Sequence, residues 1–236
     1  MITCAQTNVQ LLNQLTQAGY RKGELVLVRD AYRLGMELFG GLFRASGKPF
    51  LAHAVGTASL LVSLDQSAEV VAAGLLHAAY FYGDFGNGSR GLSATKRRKV
   101  RSAVGKKVEE LIFLYTQLPW GRQVISLMED GVESLSRKFK QVLLLRLANE
   151  LEDCCDRDIL YSGYAHPYRQ NLRAYQSRAI QLARRIEVPR LALLLKQAFR
   201  QILSDKIPPY LRNRERDSFS VFKKQDWALD QESQAQ

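Results

Sequence analysis

The sequence is poor in cysteine and contains no long apolar run. Its three cysteines, Cys4, Cys154 and Cys155, are odd in number and lack the spacing of a disulfide framework. They are typical of small buried or half-buried side chains, and a reducing cytoplasm is the expected location. No apolar segment approaches the ~20 residues that span a bilayer, and residues 1–10 lack the apolar stretch of a secretory signal. We therefore expect a cytoplasmic protein without a membrane span.

Alternating apolar and polar residues, the pattern of a half-buried strand, are also scarce. Apolar residues instead recur at intervals of three and four over 25–42 and again over 139–151. Gly47 and Pro49 interrupt the helical pattern, and Ser93 is a candidate N-cap for a later helix. The sequence therefore predicts an all-α, multi-helix bundle.

The domain organisation is predicted from length and composition. A chain of 236 residues can bury one substantial core, and no internal repeat or second domain boundary is evident. From Arg212 onwards the chain becomes polar and charged. We expect a single domain over 1–212 and a polar C-terminal tail over 213–236, disordered at its end.

The formal net charge of +11 favours acidic partners through a long-range field, but it does not choose among nucleic acid, membrane surface and polyphosphate. The densest cluster of positive charge follows Ser93. It predicts either an anion-binding face or an ordinary solvated helix surface, and the second interpretation is favoured. Its members are Lys96, Arg97, Arg98, Lys99, Arg101, Lys106 and Lys107.

Three segments contain the candidate functional residues. The first runs from Arg44 to His53, the second closes an apolar run on His77, and the third contains Asn149. In phosphohydrolases of the HD type, histidines and aspartates on several helices hold one Mn, Fe or Zn ion, which acidifies a bound water. In this sequence the residue directly after His77 is Ala78, where such a site needs an acid.

These segments resemble the hydrolase domain of the RelA/SpoT family of guanosine tetraphosphate enzymes over roughly 25–160. The family's opening pattern, Arg-x-Ser-Gly-x-Pro-aromatic-x-x-His, is the most specific of the three. It is matched by Arg44, Ser46, Gly47, Pro49, Phe50 and His53. The other two patterns are met only by their apolar frames and one histidine, namely Leu75, Leu76, His77, Leu147, Ala148 and Leu151.

The resemblance implies an HD-domain-like bundle with a nucleotide pocket. It places Arg44 against a guanine face, Ser46 near the nucleotide, and His53 and His77 as the two retained metal ligands. Together with Asn149, which occupies the family's aspartate position, these are the candidate ligand-binding residues. The implied ligand is a guanine nucleotide or another phosphorylated small molecule.

The departures from the family pattern weigh against catalysis. Phe81 and Tyr82 occupy the catalytic Glu-Asp positions, while Ala78 and Asn149 replace the two metal-binding aspartates. A divalent ion would lose both anionic ligands, and no base remains to activate water. We therefore expect a catalytically degenerate HD-fold protein with a binding or regulatory role, no catalytic residue, no cofactor, and a filled, dry pocket.

Three alternatives stay open. A rearranged metal site could recruit Asp84, Asp153 or Asp156 and support phosphohydrolysis with Mn or another divalent ion. His53 and His77 could instead be buried histidines that hydrogen-bond to the backbone or to Asn149. The chain could also be a basic scaffold for a protein partner or, less favoured, for nucleic acid, since it shows no alternation of aromatic and basic residues.

Overall fold

The computed structural model describes residues 4–86, 88–120 and 131–221. This part of the chain is mostly helical, which confirms the all-α prediction, and none of its helices is long and apolar enough to cross a membrane. The helices are α1 (Asn8–Gln17), α2 (Lys22–Phe39), α3 (Phe50–Ser63), α4 (Ala68–Leu76), α5 (Ala79–Tyr82), α6 (Ala94–Gln117), α7 (Arg137–Cys155), α8 (Ala165–Arg185) and α9 (Pro189–Ser204). Short 3-10 helices cover Val132–Ser134, Asp158–Tyr161 and Pro209–Leu211.

Several helix starts follow from local sequence. Thr7 and Gln10 form a capping box at α1, in which each side chain accepts a hydrogen bond from the other residue's backbone N–H. Ser93 caps α6, as predicted, by accepting a hydrogen bond from the backbone of Lys96. Ser136 caps α7 in the same way, and Pro189 occupies the first turn of α9, where its missing N–H has no cost.

The core is built around α3, α4 and α7. Every residue of α4 except Glu69 is buried, because this helix packs against α2, α3 and α6. Helix α3 is buried over most of its length and contacts α4 and α7. A helix that is apolar on all sides belongs in the middle of a bundle. His53, on α3, and His77, directly after α4, are therefore buried in the middle of the bundle.

One helix break and one helix end lie at residues with positive φ. Helix α6 is broken at Gly105, whose φ of 82° lies in the left-handed region that favours glycine. The helical pattern over 139–151 continues to Cys155, where α7 ends, since Arg157 takes a φ of 62° and starts a separate 3-10 turn. This break redirects the chain, so Asp158 faces back toward the residues that precede α3.

The C-terminal helices form a hairpin, and the chain after them returns to the body. Helices α8 and α9 pack on each other, and α9 also contacts α7. A two-residue strand, β2 (Phe219–Ser220), pairs antiparallel with β1 (Leu42–Phe43), with Phe43 opposite Phe219. Residues 213–221, which were assigned to a loose tail, therefore pack on the domain, because β1 offers them backbone partners. The tail end, 231–236, lies outside the described residues.

Candidate functional site

The turn between β1 and α3 presents three polar side chains to the end of α7. The backbone of Arg44 donates to the carbonyl of Lys48 at 2.8 Å, and Gly47 donates back to Arg44 at 2.8 Å. Ser46 lies at the tip of this turn, and its hydroxyl donates to Oδ2 of Asp158 at 3.0 Å. Arg44, Ser46 and Lys48 thus project from one short turn toward a common group of acids.

The acids come from the last turns of α7 and from the 3-10 turn that follows. Arg44 forms an ion pair with Asp153, and its Nε lies 3.9 Å from Oδ2 of Asp158. Lys48 Nζ lies 2.5 Å from Oε1 of Glu152 and 2.8 Å from Oδ2 of Asp156. Each of these cations therefore neutralises a buried carboxylate of α7.

Glu152 packs directly against the backbone of α3 because the facing residue there, Gly56, has no side chain. It has no exposed surface, and a Cβ placed on Gly56 of α3 would collide with its Oε1. Burial raises the pKa of Glu152 to about 7, while the positive charge of Lys48 acts in the opposite direction. The sequence analysis did not identify Lys48 or Glu152, because neither stands at a position of the family patterns.

His53 is fully buried between the two helices. Its Nδ1 is hydrogen-bonded to Glu152, and Oδ1 of Asp153 lies 3.6 Å from the same nitrogen. Burial holds the pKa of His53 well below its ordinary 6.5, and the charges of Arg44 and Lys48 lower it further. The ring is therefore neutral. Nδ1 donates to Glu152 when that carboxyl is ionised and accepts from it when it is protonated, and the raised pKa of Glu152 makes both forms accessible near neutral pH.

His77 packs against His53 and is also neutral. The two ring centroids are 5.3 Å apart, and the ring of Tyr115 lies 5.3 Å from His77 on its other side. Nδ1 of His77 donates to the carbonyl of Gly74 at 2.8 Å. Burial, followed by the influence of His53, holds the pKa of His77 well below 6.5. The structure thus brings the two predicted histidines into contact.

Asn149, on α7, lies beside His53 of α3. Its interaction with the imidazole ring raises the pKa of His53, but burial lowers this pKa by more. The Oδ1 of Asn149 and the Nε2 of His53 are both buried and have no hydrogen-bond partner among the described residues. His77 directs Nδ1–H to a carbonyl, which leaves its Nε2 lone pair available, and His53 does the same when Glu152 is ionised. Metal-ligating histidines show the same tautomer and the same outer hydrogen bond.

Two sets of side chains are therefore relevant to a metal. His53, Glu152 and Asp153 offer ligand atoms within 4.8 Å of one another. However, Lys48 and Arg44 already bind these carboxylates, and a divalent cation would have to displace or approach both positive charges. The second set is the two histidines with Asn149. It fits Zn²⁺ or another imidazole-binding ion in ligand type, but its uncharged donors suit Mn²⁺ poorly.

The remaining predicted residues are located elsewhere. Asp84 lies in the exposed loop after α5, where its carboxylate accepts from the backbone of Gly86 at 2.8 Å, and it is not part of the His53 group. Phe81 is 37% exposed, so it does not fill a dry pocket as expected. Tyr82 is half-buried, and its hydroxyl donates to Asp217 at 2.9 Å. The short helix α5 turns these aromatic side chains outward.

A large cleft opens next to Arg44 and Ser46. Its volume is about 720 Å³, within the usual range for small-molecule sites. Its walls come from the Arg44 turn, the end of α7, α8 and residues 216–218, and we name it the tyrosine-rich cleft. The aromatic lining consists of Tyr82, Trp120, Tyr164, Tyr168 and Tyr175, and the charged lining of Arg44, Glu150, Asp153, Asp158, Arg216 and Asp217.

Glu150 forms the floor of this cleft. It receives hydrogen bonds from Trp120 Nε1 at 3.0 Å, from Tyr175 at 2.6 Å and from Tyr168 at 3.4 Å. Burial raises its pKa, and these donors oppose the effect. Glu150 was not among the candidate site residues predicted from the sequence. The tyrosines of α8 were missed because they lie outside the segment that resembles the family.

The basic cluster is largely engaged in the fold. Lys96 is buried and donates to the carbonyls of Ser89 and Gly91. Arg97 and Arg101 both bind Glu109, which has no exposed surface. Lys99, Lys106 and Lys107 lie within ion-pair distance of Glu37, Glu110 and Glu69, respectively. Much of this positive charge is therefore balanced locally, so the cluster is a weaker polyanion surface than its sequence implies.

Comparison with known proteins adds one relationship. A protein-family model described as a domain of unknown function, DUF6817, matches residues 37–119. This segment is about a third of the chain. It includes Arg44, Ser46, His53 and His77, but ends before Asn149 and the acids of α7. No curated protein matches the chain.

Proposed function

We propose that this chain is a catalytically degenerate, HD-like helical protein that binds a small molecule in the tyrosine-rich cleft. The observation that carries the proposal is the pairing of Arg44 with Asp153 and of Lys48 with Glu152 beside His53. Among the residues that the structure describes, the carboxyl groups of the His53 cluster are thus paired with cations of the protein itself. A binding role is the function that remains.

The argument against hydrolysis has two parts. A catalytic metal needs a charged, open coordination shell to lower the pKa of its water, and Ala78 and Asn149 supply no charge there. A general base is also needed within hydrogen-bond reach of that water. Phe81 and Tyr82 occupy the two positions where the family has its catalytic acids. The Phe81 side chain lies at the surface, and the Tyr82 side chain lies in the cleft wall.

The binding role is supported by the cleft itself. It is deep enough for a nucleoside-sized ligand, and hydroxyl, carboxylate, indole and guanidinium groups converge on it. The guanine nucleotide implied by the family resemblance is one ligand to test. Stacking of Arg44 on a base would require its guanidinium to keep or exchange the contacts with Asp153 and Asp158.

A metal-dependent phosphohydrolase is the second candidate. It is favoured by one observation, the tautomer of His77, which donates through Nδ1 to a carbonyl and leaves Nε2 available beside the ring of His53. In this alternative His53, His77 and Asn149 would hold an ion such as Zn²⁺. A carboxylate close to the attacking water would still have to be supplied.

The experiment is phosphate release from guanosine tetraphosphate and from GDP, with added Mn²⁺ or Zn²⁺. The matched control is a His53→Ala variant that is shown to be folded by circular dichroism. We expect the wild-type protein to release no more phosphate than this variant. Release that depends on His53 would overturn the proposal and establish the second candidate.

A further inference from the structure

We infer that the tyrosine-rich cleft binds a small organic cation that carries N–H donors, such as a primary ammonium or guanidinium compound. The inference rests on the proposed binding function of the same cleft and names the chemistry of its ligand. Three independent features of the lining support it: the balance of charge, one unpartnered carboxylate oxygen, and the aromatic walls.

The charge of the lining is the first feature. Four carboxylates line the cleft, against the two guanidinium groups of Arg44 and Arg216. The guanidinium of Arg44 already lies between Asp153 and Asp158, so little of its charge is available to a ligand. Burial raises the pKa of Glu150 and Asp153, which reduces the negative charge of the lining, but the surplus of carboxyl groups over guanidinium groups still favours a cation over a phosphorylated ligand.

The second feature is the carboxylate of Asp158. Its side chain is only 7% exposed, and its Oδ2 accepts from Ser46 and lies close to Arg44. Its Oδ1 is buried and has no hydrogen-bond partner among the described residues. An unpaired buried carboxylate oxygen is costly, and an N–H donor from a ligand would satisfy it once a covering side chain has moved to let the ligand reach it. Burial raises the pKa of Asp158 to about 6, and the positive charge of Arg44 acts in the opposite direction.

The third feature is the aromatic wall. Tyr168 and Tyr175 stand beside Trp120 over the Glu150 floor, and Tyr164 is at the rim with 36% of its surface exposed. The faces of such rings attract cations, most strongly where water is excluded. Tyrosine and tryptophan also provide a rigid apolar wall for the carbon skeleton of the ligand. The cleft therefore combines a carboxylate acceptor with a cation-attracting surface.

The test is isothermal titration of the full chain with three probes. Agmatine carries both an ammonium and a guanidinium group, tetramethylammonium is a cation without N–H donors, and GDP represents the anionic ligands. We expect agmatine to bind, tetramethylammonium to bind at least about tenfold more weakly, and GDP to bind more weakly still.

Three variants locate the site. Asp158→Asn keeps the shape of the side chain but removes its charge, and it should weaken agmatine binding by about tenfold or more. Tyr164→Ala, at the exposed rim, should weaken it severalfold, and it remains informative if Asp158→Asn does not fold. Glu187→Gln removes an acid that is 83% exposed and absent from the cleft lining, and should leave affinity unchanged.

The outcomes separate this inference from the proposed function. Binding of GDP but not agmatine would overturn the inference and leave a small-molecule binding cleft. Agmatine affinity unaffected by both cleft variants would also overturn it. If none of the three probes binds, the inference that the ligand is an organic cation is wrong. The proposal that the protein is catalytically degenerate is tested separately, and it is wrong if the chain releases phosphate in a His53-dependent reaction.

Discussion

Lys48 Nζ lies 2.5 Å from Glu152 Oε1, although the two residues are 104 positions apart in the sequence. Their side chains are 10% and 0% exposed, respectively, so both charges are held largely away from water. Glu152 is also hydrogen-bonded to His53. The pair therefore links the turn before α3, the centre of α3 and the end of α7, and it fixes the charge beside the retained histidines.

Removing one partner of this pair should be strongly destabilising. Lys48→Met preserves side-chain length but leaves Glu152 buried without its cation, so we expect the free energy of unfolding to fall by about 3 kcal/mol. Urea denaturation measures the change. The control is Lys140→Met, because Lys140 pairs with an exposed glutamate and should lose less than about 1 kcal/mol. Equal losses in the two variants would contradict a buried charge pair.

The close approach of α3 and α7 gives a second prediction. Gly56→Ala raises the intrinsic helix propensity of α3 but inserts a Cβ against Glu152, so stability should fall by about 1–3 kcal/mol. Gly23→Ala in α2 is the control, since nothing lies within 4 Å of a Cβ there, and it should gain up to about 1 kcal/mol. Thermal melts of the two variants should shift in opposite directions.

The buried histidines contribute a loss of stability in mild acid. Above pH 6.5, His77 is neutral in both the folded and the unfolded chain and adds no pH dependence. Below pH 6.5 the unfolded chain takes up a proton that the folded chain resists, because the pKa of His77 in the fold is well below this value. Glu152 and Asp158 act in the opposite direction, because burial raises their pKa and the folded chain takes up their protons first. The contribution of His77 is therefore measured as a difference between the wild-type protein and a variant that lacks it.

Replacing the histidine isolates its contribution to this loss of stability. Between pH 6.5 and pH 5 the wild-type protein should lose stability relative to His77→Gln, because only the wild-type protein carries the cost of a histidine that resists protonation in the fold. The matched control is His166→Gln, which alters an exposed histidine on α8. A slope that is identical in the wild type and both variants would rule out a buried neutral His77.

The basic cluster should contribute to stability rather than to polyanion binding. Neutralising Arg97 and Arg101 together as glutamines leaves Glu109 buried without a cation, and we expect a loss of about 3 kcal/mol in urea denaturation. Arg98→Gln removes an exposed charge of the same segment and should change stability by less than about 0.5 kcal/mol. A scaffold that binds nucleic acid through this cluster would instead keep its stability and lose salt-dependent affinity.

Local patterns were sufficient to predict the helices, whereas the expectation that His53 and His77 belong to one site came from the family resemblance. Apolar periodicity, the Ser93 cap and the breaks at Gly47 and Pro49 act within a few residues, and they agree with the fold. The pairing of Lys48 with Glu152 could not be predicted, because it depends on the angle between α3 and α7 and on the space left by Gly56.

The cleft was inaccessible to sequence reasoning for a similar reason. Its lining joins the Arg44 turn to α8 and to residues 216–218, which had been assigned to a loose tail. Arg157 in a left-handed conformation ends α7 early and turns Asp158 toward Ser46, and no local signal predicts this φ for an arginine. Phe81 is exposed because α5 is a single short turn, which apolar composition alone does not reveal.

The most direct test of the central claim is the metal content of the purified protein after equilibrium dialysis against Mn²⁺, measured by inductively coupled plasma mass spectrometry. Because Arg44 and Lys48 neutralise the acids beside His53, we predict no stoichiometric Mn²⁺ in the wild-type protein and no difference from His53→Ala. One Mn²⁺ per chain, lost in His53→Ala, would contradict the account.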